Sequence, residues 1–164
     1  MEAILHSFAY SLDFPRDQVE PIPADQLTAQ PAGIRNHPAW ILGHLAYACQ
    51  LLGATRGMPV WLPDHWTVRY GTGSVPTAEP RTYESKAKLL AILRDCRSRL
   101  EVVVAGLSAD QLDAPFPEPS YRDVFPTIRH ALTQVLLGHT AYHLGELTVW
   151  RRAMGFAPLT RSYE

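Results

Sequence analysis

The amino-acid sequence predicts an all-α protein, a four-helix bundle that forms a single domain over residues 1–164. Three observations predict this fold. The 14 prolines lie mostly in three clusters, which leave four stretches almost free of proline. Each of these stretches repeats apolar residues at steps of three and four, the period of an amphipathic helix. No stretch shows the sustained alternation of apolar and polar residues that is typical of a β-strand.

The four predicted helices occupy residues 1–14, 38–55, 82–107 and 127–154. Proline lacks a backbone donor and clashes inside a helix, so the proline clusters indicate the connections. Pro38 fits the first turn of the second helix, and Gly155 followed by Pro158 fits the end of the fourth. Because each helix has one apolar stripe, the four stripes must be buried against one another.

The fourth predicted helix has a long apolar stripe. Its steps alternate between four and three residues, so a regular α-helix holds all of its members on one face. The stripe comprises Ile128, Leu132, Val135, His139, Tyr142, Glu146 and Val149. We expect this face to lie against the core of the bundle.

The connection over residues 56–81 is too long for a simple turn, and it contains Trp61, Trp66 and Tyr70. Long loops in compact domains are often functional. These three aromatic residues are therefore candidates for substrate binding. The alternative, which the sequence supports equally, is that they anchor the loop on the bundle.

Two short motifs occur twice in the chain. The pattern LGHxAY is found at 42–47 and 137–142, and ADQL is found at 24–27 and 109–112. Either these repeats are a coincidence among common helix residues, or the chain consists of two related helical hairpins about a pseudo-twofold axis. In the second case His44 and His139 occupy equivalent positions.

Three histidines are candidate metal ligands. His139 and His143 are one helical turn apart and so share a face, while His44 interrupts the apolar stripe of the second helix. Imidazoles that face a core need partners for their ring nitrogens, and a divalent metal can satisfy all three. Gly43 and Gly138 are expected to allow the close helix approach that brings the ligands together. The remaining histidines are expected to cap, pack or face solvent, and these are His6, His37, His65 and His130.

Two known metal motifs are excluded. The zincin motif HExxH requires Glu directly after the first histidine, where this chain has Thr140. Di-iron bundles require Glu three residues before a histidine, and the corresponding residues here are Ile41 and Thr140. A mononuclear site with three histidines remains. Such a site leaves a coordination position open, as catalytic metal sites do.

Several segments resemble the DinB/YfiT-like metalloprotein family, namely NHPAWILGHLAY at 36–47, LLGHTAYHLGEL at 136–147 and WTVRYGTGSVP at 66–76. The resemblance implies an up-down-down-up bundle with a long crossover loop, which frequently forms a homodimer. It implies one divalent metal, nickel or zinc, held by the residues that match the family's ligands, His44, His139 and His143. Characterised relatives include metal-dependent transferases and isomerases that use low-molecular-weight thiols, and the motif often has Gln at the position of Glu146.

Three classes of function are compatible with these residues. The first is a metal-dependent enzyme that acts on a small molecule, as a thiol-dependent S-transferase or a hydrolase. The second is a non-catalytic, stress-related bundle protein that binds a metal or a ligand. The third is a plain bundle with ordinary core histidines. Glu146 is the candidate catalytic base in the first class, but it can instead orient His143 or form an ion pair with an arginine such as Arg151 or Arg152.

Composition argues against several partners. A net charge of −1 gives no electrostatic footprint for nucleic acid, and no apolar run approaches the ~20 residues of a membrane span. We find no pattern of a secretory signal near the first residues. Cys49 and Cys96 fit buried free thiols of a cytoplasmic protein better than a disulfide framework, although a single disulfide is compatible with the spacing.

Overall fold

A computed structural model describes residues 1–159 of the chain. This part of the chain is all-helical, with no β-strand and with one isolated bridge between Pro115 and Thr127. The helices are α1 Glu2–Val19, α2 Pro38–Ala54, α3 His65–Tyr70, α4 Lys86–Ala105, α5 Ala109–Asp113, α6 Ile128–Thr133 and α7 Thr140–Ala153. A π-helical turn, Gln134–His139, joins α6 to α7, so these three elements form one long last helix.

The four long helices form the predicted bundle. α1 packs against α4 and the last helix, and α2 packs against the same two neighbours. The predicted end of the first helix before Pro15 is wrong, because α1 continues through this buried proline to Val19. Burial of the ring offsets part of the cost of a proline inside a helix.

Side-chain contacts give the direction of each helix. Arg97 pairs with Asp13 at 3.3 Å, and Lys86 at the start of α4 donates to the Glu20 carbonyl oxygen at 2.7 Å just beyond the end of α1. α1 and α4 are therefore antiparallel. Gln18 donates to Thr148 at 2.8 Å, close to the ends of α1 and α7.

The π turn, which precedes α7, also packs on α1, and this requires α1 and the last helix to be parallel. Asn36 just before α2 contacts Glu146, and His44 further along α2 contacts His139, so α2 runs antiparallel to the last helix. The order is up-down-down-up.

The π turn changes which residues of the last helix are buried. The buried positions include Ile128, Leu132, Leu136, Thr140, His143, Leu147 and Trp150. The first four are separated by three successive steps of four residues, over which a regular α-helix rotates its face by about 120°. The wider π turn absorbs the additional residue and keeps the face towards the core.

The predicted stripe is therefore displaced by one residue from the π turn onward. The sequence predicts Tyr142 and Val149 in the core, but they are 63% and 54% exposed, and the residues that follow them, His143 and Trp150, are buried instead. The prediction assumed a regular α-helix throughout, and the inserted residue moves the core face to the next position.

Both cysteines are buried, and neither forms a disulfide within the described residues. Burial raises the pKa of both thiols, that of Cys96 to about 11. Among residues 1–159, no helix combines the length and the apolar character needed to cross a membrane.

Candidate metal centre

Three histidines meet between α2 and the last helix. His44 comes from the middle of α2, His139 from the end of the π turn and His143 from the first turn of α7. The Nε2 atom of His139 lies 3.0 Å from Nε2 of His44 and 3.2 Å from Nε2 of His143. The structure thus brings together the three residues that the sequence predicted as ligands. Nitrogens bound tetrahedrally to one ion at about 2.0–2.1 Å are separated by a similar distance.

The hydrogen bonds of the outer ring nitrogens fix two of the tautomers. Nδ1 of His44 lies 2.6 Å from the carbonyl oxygen of Tyr70, and Nδ1 of His143 lies 2.8 Å from Oε2 of Glu146. A carbonyl or carboxylate oxygen only accepts, so each Nδ1 carries the proton and donates it. The Nε2 atoms of both rings consequently present lone pairs to the same point.

The third ring cannot satisfy this arrangement by itself. A proton on Nε2 of His139 can be donated to only one of the two facing nitrogens, while its Nδ1 is buried without a hydrogen-bond partner. A proton on Nδ1 leaves three lone pairs opposed to one another. A bound divalent cation resolves the conflict, because it accepts all three lone pairs. The three residues therefore fit a metal ion, and together they can hold one.

Burial keeps the three imidazoles neutral. His44 and His143 are only 6% and 5% exposed. Desolvation lowers the pKa of His44 to about 4 and that of His139 to about 3, and it lowers the pKa of His143 although Glu146 acts in the opposite direction. Neutral imidazole is the form that binds metals, so these rings are available as ligands at neutral pH.

Glu146 lies behind His143 rather than in front of the three nitrogens. Its carboxylate accepts from Nδ1 of His143 and from the Asn36 side-chain amide, whose Nδ2 lies 3.0 and 3.1 Å from the two oxygens. Arg151 instead donates to the backbone carbonyl oxygens of Gln18 and Ala157. Sequence reasoning missed Asn36, although it stands in the same motif as His44.

A sequence profile of the DinB superfamily matches residues 16–147, a range that contains all three histidines and Glu146. This chain belongs to the DinB superfamily. No curated protein matched the chain in a sequence search. The family assignment confirms the resemblance seen in the sequence, and it agrees with the helical bundle.

In this DinB bundle, α3 supports His44 from the side opposite the last helix. The Tyr70 hydroxyl donates to the carboxylate of Glu84, which also pairs with Arg69 at 3.0 Å. The Glu84 side chain is only 6% exposed, so this contact fixes the end of α3 within the protein. The Tyr70 carbonyl oxygen is thereby held where His44 donates.

The two glycines of the LGHxAY repeats have different contacts from those expected. A Cβ atom on Gly43 would lie 2.2–2.5 Å from three ring atoms of Tyr70, so this glycine allows the close approach of α3. A Cβ atom on Gly138 would meet the Gln134 side chain of its own helix at 2.8 Å. The nearest atoms to both glycines thus belong to α3 and to the same helix, and the expected role of these glycines in bringing the two ligand helices together stays a prediction.

The predicted substrate-binding aromatics lie away from the open side of the site. Trp66 and Tyr70 are 1% and 0% exposed in the core, and Trp61 is half-buried with its Nε1 3.2 Å from Sγ of Cys96. A cavity of about 440 Å³ opens beside His44 and His139, and none of the three aromatics lines it. Their role in substrate binding stays a prediction, and their present contacts are those of loop anchors.

Proposed function

We propose that this DinB-superfamily chain is a metal-dependent enzyme with one zinc or nickel ion held by His44, His139 and His143. The observation that carries the proposal is the convergence of three neutral imidazoles on one point, two of them with lone pairs fixed by their Nδ1 hydrogen bonds. A divalent metal with an open coordination position supplies Lewis acidity, which lowers the pKa of a water or thiol and activates it as a nucleophile. We infer thiol-dependent S-transfer or hydrolysis as the reaction type.

The open side of the site favours catalysis over a purely structural metal. Structural zinc sites are closed by four protein ligands, whereas catalytic sites keep a position free. Here the cavity reaches His44 and His139 from one side, so a small molecule can approach the three histidines. His143 and Glu146 complete the other side.

Glu146 best fits a positioning role in this proposal. Its carboxylate holds the proton on Nδ1 of His143 and thereby keeps Nε2 of that ring free as a ligand. The Asn36 amide holds the carboxylate in turn. The alternative role, a base that takes a proton from the nucleophile, would require Glu146 to exchange one of these contacts.

We further propose a homodimer. The exposed side chains of Tyr142 and Val149 lie with Ile34 around one open groove on the outer face of α7, which Arg35, Asn36 and Glu146 also line. The apolar members of this groove support an association of two copies. A cytoplasmic location is part of the same proposal.

Metal analysis of purified protein tests the site. About one divalent ion per chain is expected, and His44→Ala, His139→Ala and His143→Ala should each lose most of it. The matched control is His130→Ala, because His130 is exposed and bonds Thr127 at 2.8 Å, away from the centre. Full occupancy in the His44→Ala protein would contradict the three-histidine site.

Activity separates an enzyme from a non-catalytic metal-binding protein. The metal-loaded protein should convert members of a panel of thiol adducts and simple esters, and the metal-free protein should convert none of them. A fully loaded protein that leaves the whole panel unchanged would favour the non-catalytic alternative.

A further inference from the structure

We infer that the cavity beside His44 and His139 binds an uncharged, apolar group of the substrate, of the size of a phenyl ring or a chain of six to eight carbons. The inference rests on the proposed function only for the chemistry at the histidines. The binding of an apolar group follows from the cavity itself.

Two of the cavity walls are helices. α2 contributes Ala48, Leu51 and Leu52, and the last helix contributes Ala131 and Val135. These side chains are aliphatic, so they offer dispersion contacts and a surface that favours apolar ligands. His44 and His139 stand at one end of the same space, where the reacting atoms of a bound molecule would lie.

The third wall is an aromatic cluster in the connection between α5 and α6. Phe116 and Phe125 pack with ring centroids 5.5 Å apart, and Tyr121 stacks on Phe125 at 6.4 Å with an angle of 13°. The connection is held in shape by its own bonds, since Arg122 donates to the Phe116 carbonyl oxygen at 2.7 Å. The cluster is thus formed before any ligand binds.

Part of this apolar surface is exposed. Tyr121 is 55% exposed and Leu51 is 47% exposed, and they stand among the residues that line the cavity. Exposed apolar surface that lines a concave space is typical of a ligand site. A ligand would remove this surface from water.

The charge of the lining disfavours an anionic group. No lysine or arginine lines the cavity within the described residues, and the one carboxylate there is Glu118, which accepts from Ser120. A carboxylate or phosphate that entered would lose hydration without meeting a cation. An anionic part of a substrate must therefore stay at the metal or in solvent.

The volume sets the size of the group. Ligand pockets usually measure about 300–1,000 Å³, and a dry cavity of about 150 Å³ already holds benzene. A cavity of about 440 Å³ accommodates a ring with substituents or a medium-length alkyl chain.

A series of hydroxamates tests the inference, because all members share one metal-chelating head and differ in the tail. Binding to the zinc-loaded protein would be measured by titration calorimetry for acetohydroxamate, hexanohydroxamate and octanohydroxamate. The affinity should rise about fourfold for each methylene that becomes buried. The monohydroxamate of suberic acid, which ends in a carboxylate, should bind at least about tenfold more weakly than octanohydroxamate, given the cost of burying an unpaired charge.

A substitution that adds a charge at the rim of the cavity provides a second test of the inference. Leu51→Glu should weaken hexanohydroxamate at least about tenfold and leave acetohydroxamate unchanged, since only the tail meets the new charge. Leu51 is half-exposed, so the variant should fold. The matched control is Val102→Glu on α4, where the side chain is 75% exposed and does not line the cavity.

Equal affinity for all tails, or an unchanged hexanohydroxamate affinity in Leu51→Glu, would overturn the inference and leave the proposed function standing. If acetohydroxamate itself fails to bind, the open metal site of the proposed function is wrong. In that case the neutral dye N-phenyl-1-naphthylamine, added to metal-free protein, decides the inference. Enhanced fluorescence that Leu51→Glu abolishes supports the apolar cavity, and no enhancement overturns it.

Discussion

Gly43→Ala should damage both the fold and the metal centre, although it adds one methyl group to a helix. A Cβ atom at this position would lie 2.2, 2.3 and 2.5 Å from three ring atoms of Tyr70, where ordinary carbon contacts are about 3.5–4.0 Å. Tyr70 must therefore retreat by more than ~1 Å. Its ring is fully buried, with Trp66 at 4.5 Å and its hydroxyl on Glu84, so little space is available.

The magnitude follows from two opposing effects. Overpacking of a filled core costs about 1–3 kcal/mol and occasionally more. Replacing glycine by alanine inside a helix returns up to about 1 kcal/mol. With a contact this short the steric effect should prevail, and we expect a net loss of about 2 kcal/mol in the free energy of unfolding. Because the Tyr70 carbonyl oxygen accepts from His44, its movement should also weaken metal binding about 10–100-fold.

Gly145→Ala is the matched control. Gly145 lies inside α7, two residues from His143, and an added Cβ atom would meet nothing within 4 Å. This variant should gain up to about 1 kcal/mol from helix propensity and bind zinc as the unchanged protein does. Urea unfolding of the metal-free proteins measures the first quantity, and zinc competition against a chelating dye measures the second. If Gly43→Ala matches Gly145→Ala in both assays, the steric argument is refuted.

Two further perturbations test the surroundings of the histidines. Glu146→Gln should lower zinc affinity about 10–100-fold, because a neutral amide is a weaker acceptor for the Nδ1 proton of His143, and unchanged affinity in the dye competition would argue against this role. Burial lowers the pKa of His37 from 6.5 to about 4. Between these two pH values the unfolded chain binds a proton at this histidine and the folded protein does not, so the free energy of unfolding decreases as the pH falls towards 4. His37→Asn keeps a hydrogen-bond acceptor at the start of α2. Urea unfolding of the metal-free proteins should show that the variant loses about 2 kcal/mol less stability between pH 7 and pH 5 than the unchanged protein does. Equal losses in the two proteins would contradict the assignment of this pH dependence to His37.

The bundle and its three metal-ligand candidates could be predicted because they depend on local patterns. Proline clusters and helical periodicity give the four long helices, and a histidine pair at i and i+4 shares a face in any α-helix. The repeated LGHxAY motif added His44, which lies 95 residues before His139. None of these steps required knowledge of tertiary contacts.

The contacts around the ligands could not be predicted in the same way. The partner of Nδ1 of His44 is a backbone carbonyl oxygen, that of Tyr70, and a carbonyl carries no signal in the sequence. The π turn could not be predicted either. Its signal in the sequence is a run of apolar residues at steps of four, but the same segment also contains an apolar stripe whose steps alternate between four and three, as in a regular α-helix. The cavity could not be predicted from the sequence, because its aromatic wall comes from a proline-rich connection whose apolar residues show no periodicity.

The two LGHxAY copies show how far a shared motif determines a shared environment. Their histidines meet at the centre, but the tyrosine of the first copy, Tyr47, is 7% exposed, while Tyr142 of the second is 63% exposed. α2 packs against α3, α4 and α7. On the last helix the π turn moves the buried face on to His143, which leaves Tyr142 exposed.

This asymmetry gives the candidate metal centre two different sides. His44 and His139 line the cavity, while His143 is backed by Glu146, which lines a separate open groove with Tyr142 and Asn36. A molecule in the cavity therefore approaches the three nitrogens from the side away from the carboxylate. A general base must lie within hydrogen-bond reach of the proton that it removes, and Glu146 has no such reach into the cavity while it holds His143. On the proposed function, Glu146 would orient a ligand rather than act as the base. A metal held by the three histidines would lower the pKa of the nucleophile, so that its proton could be lost to solvent.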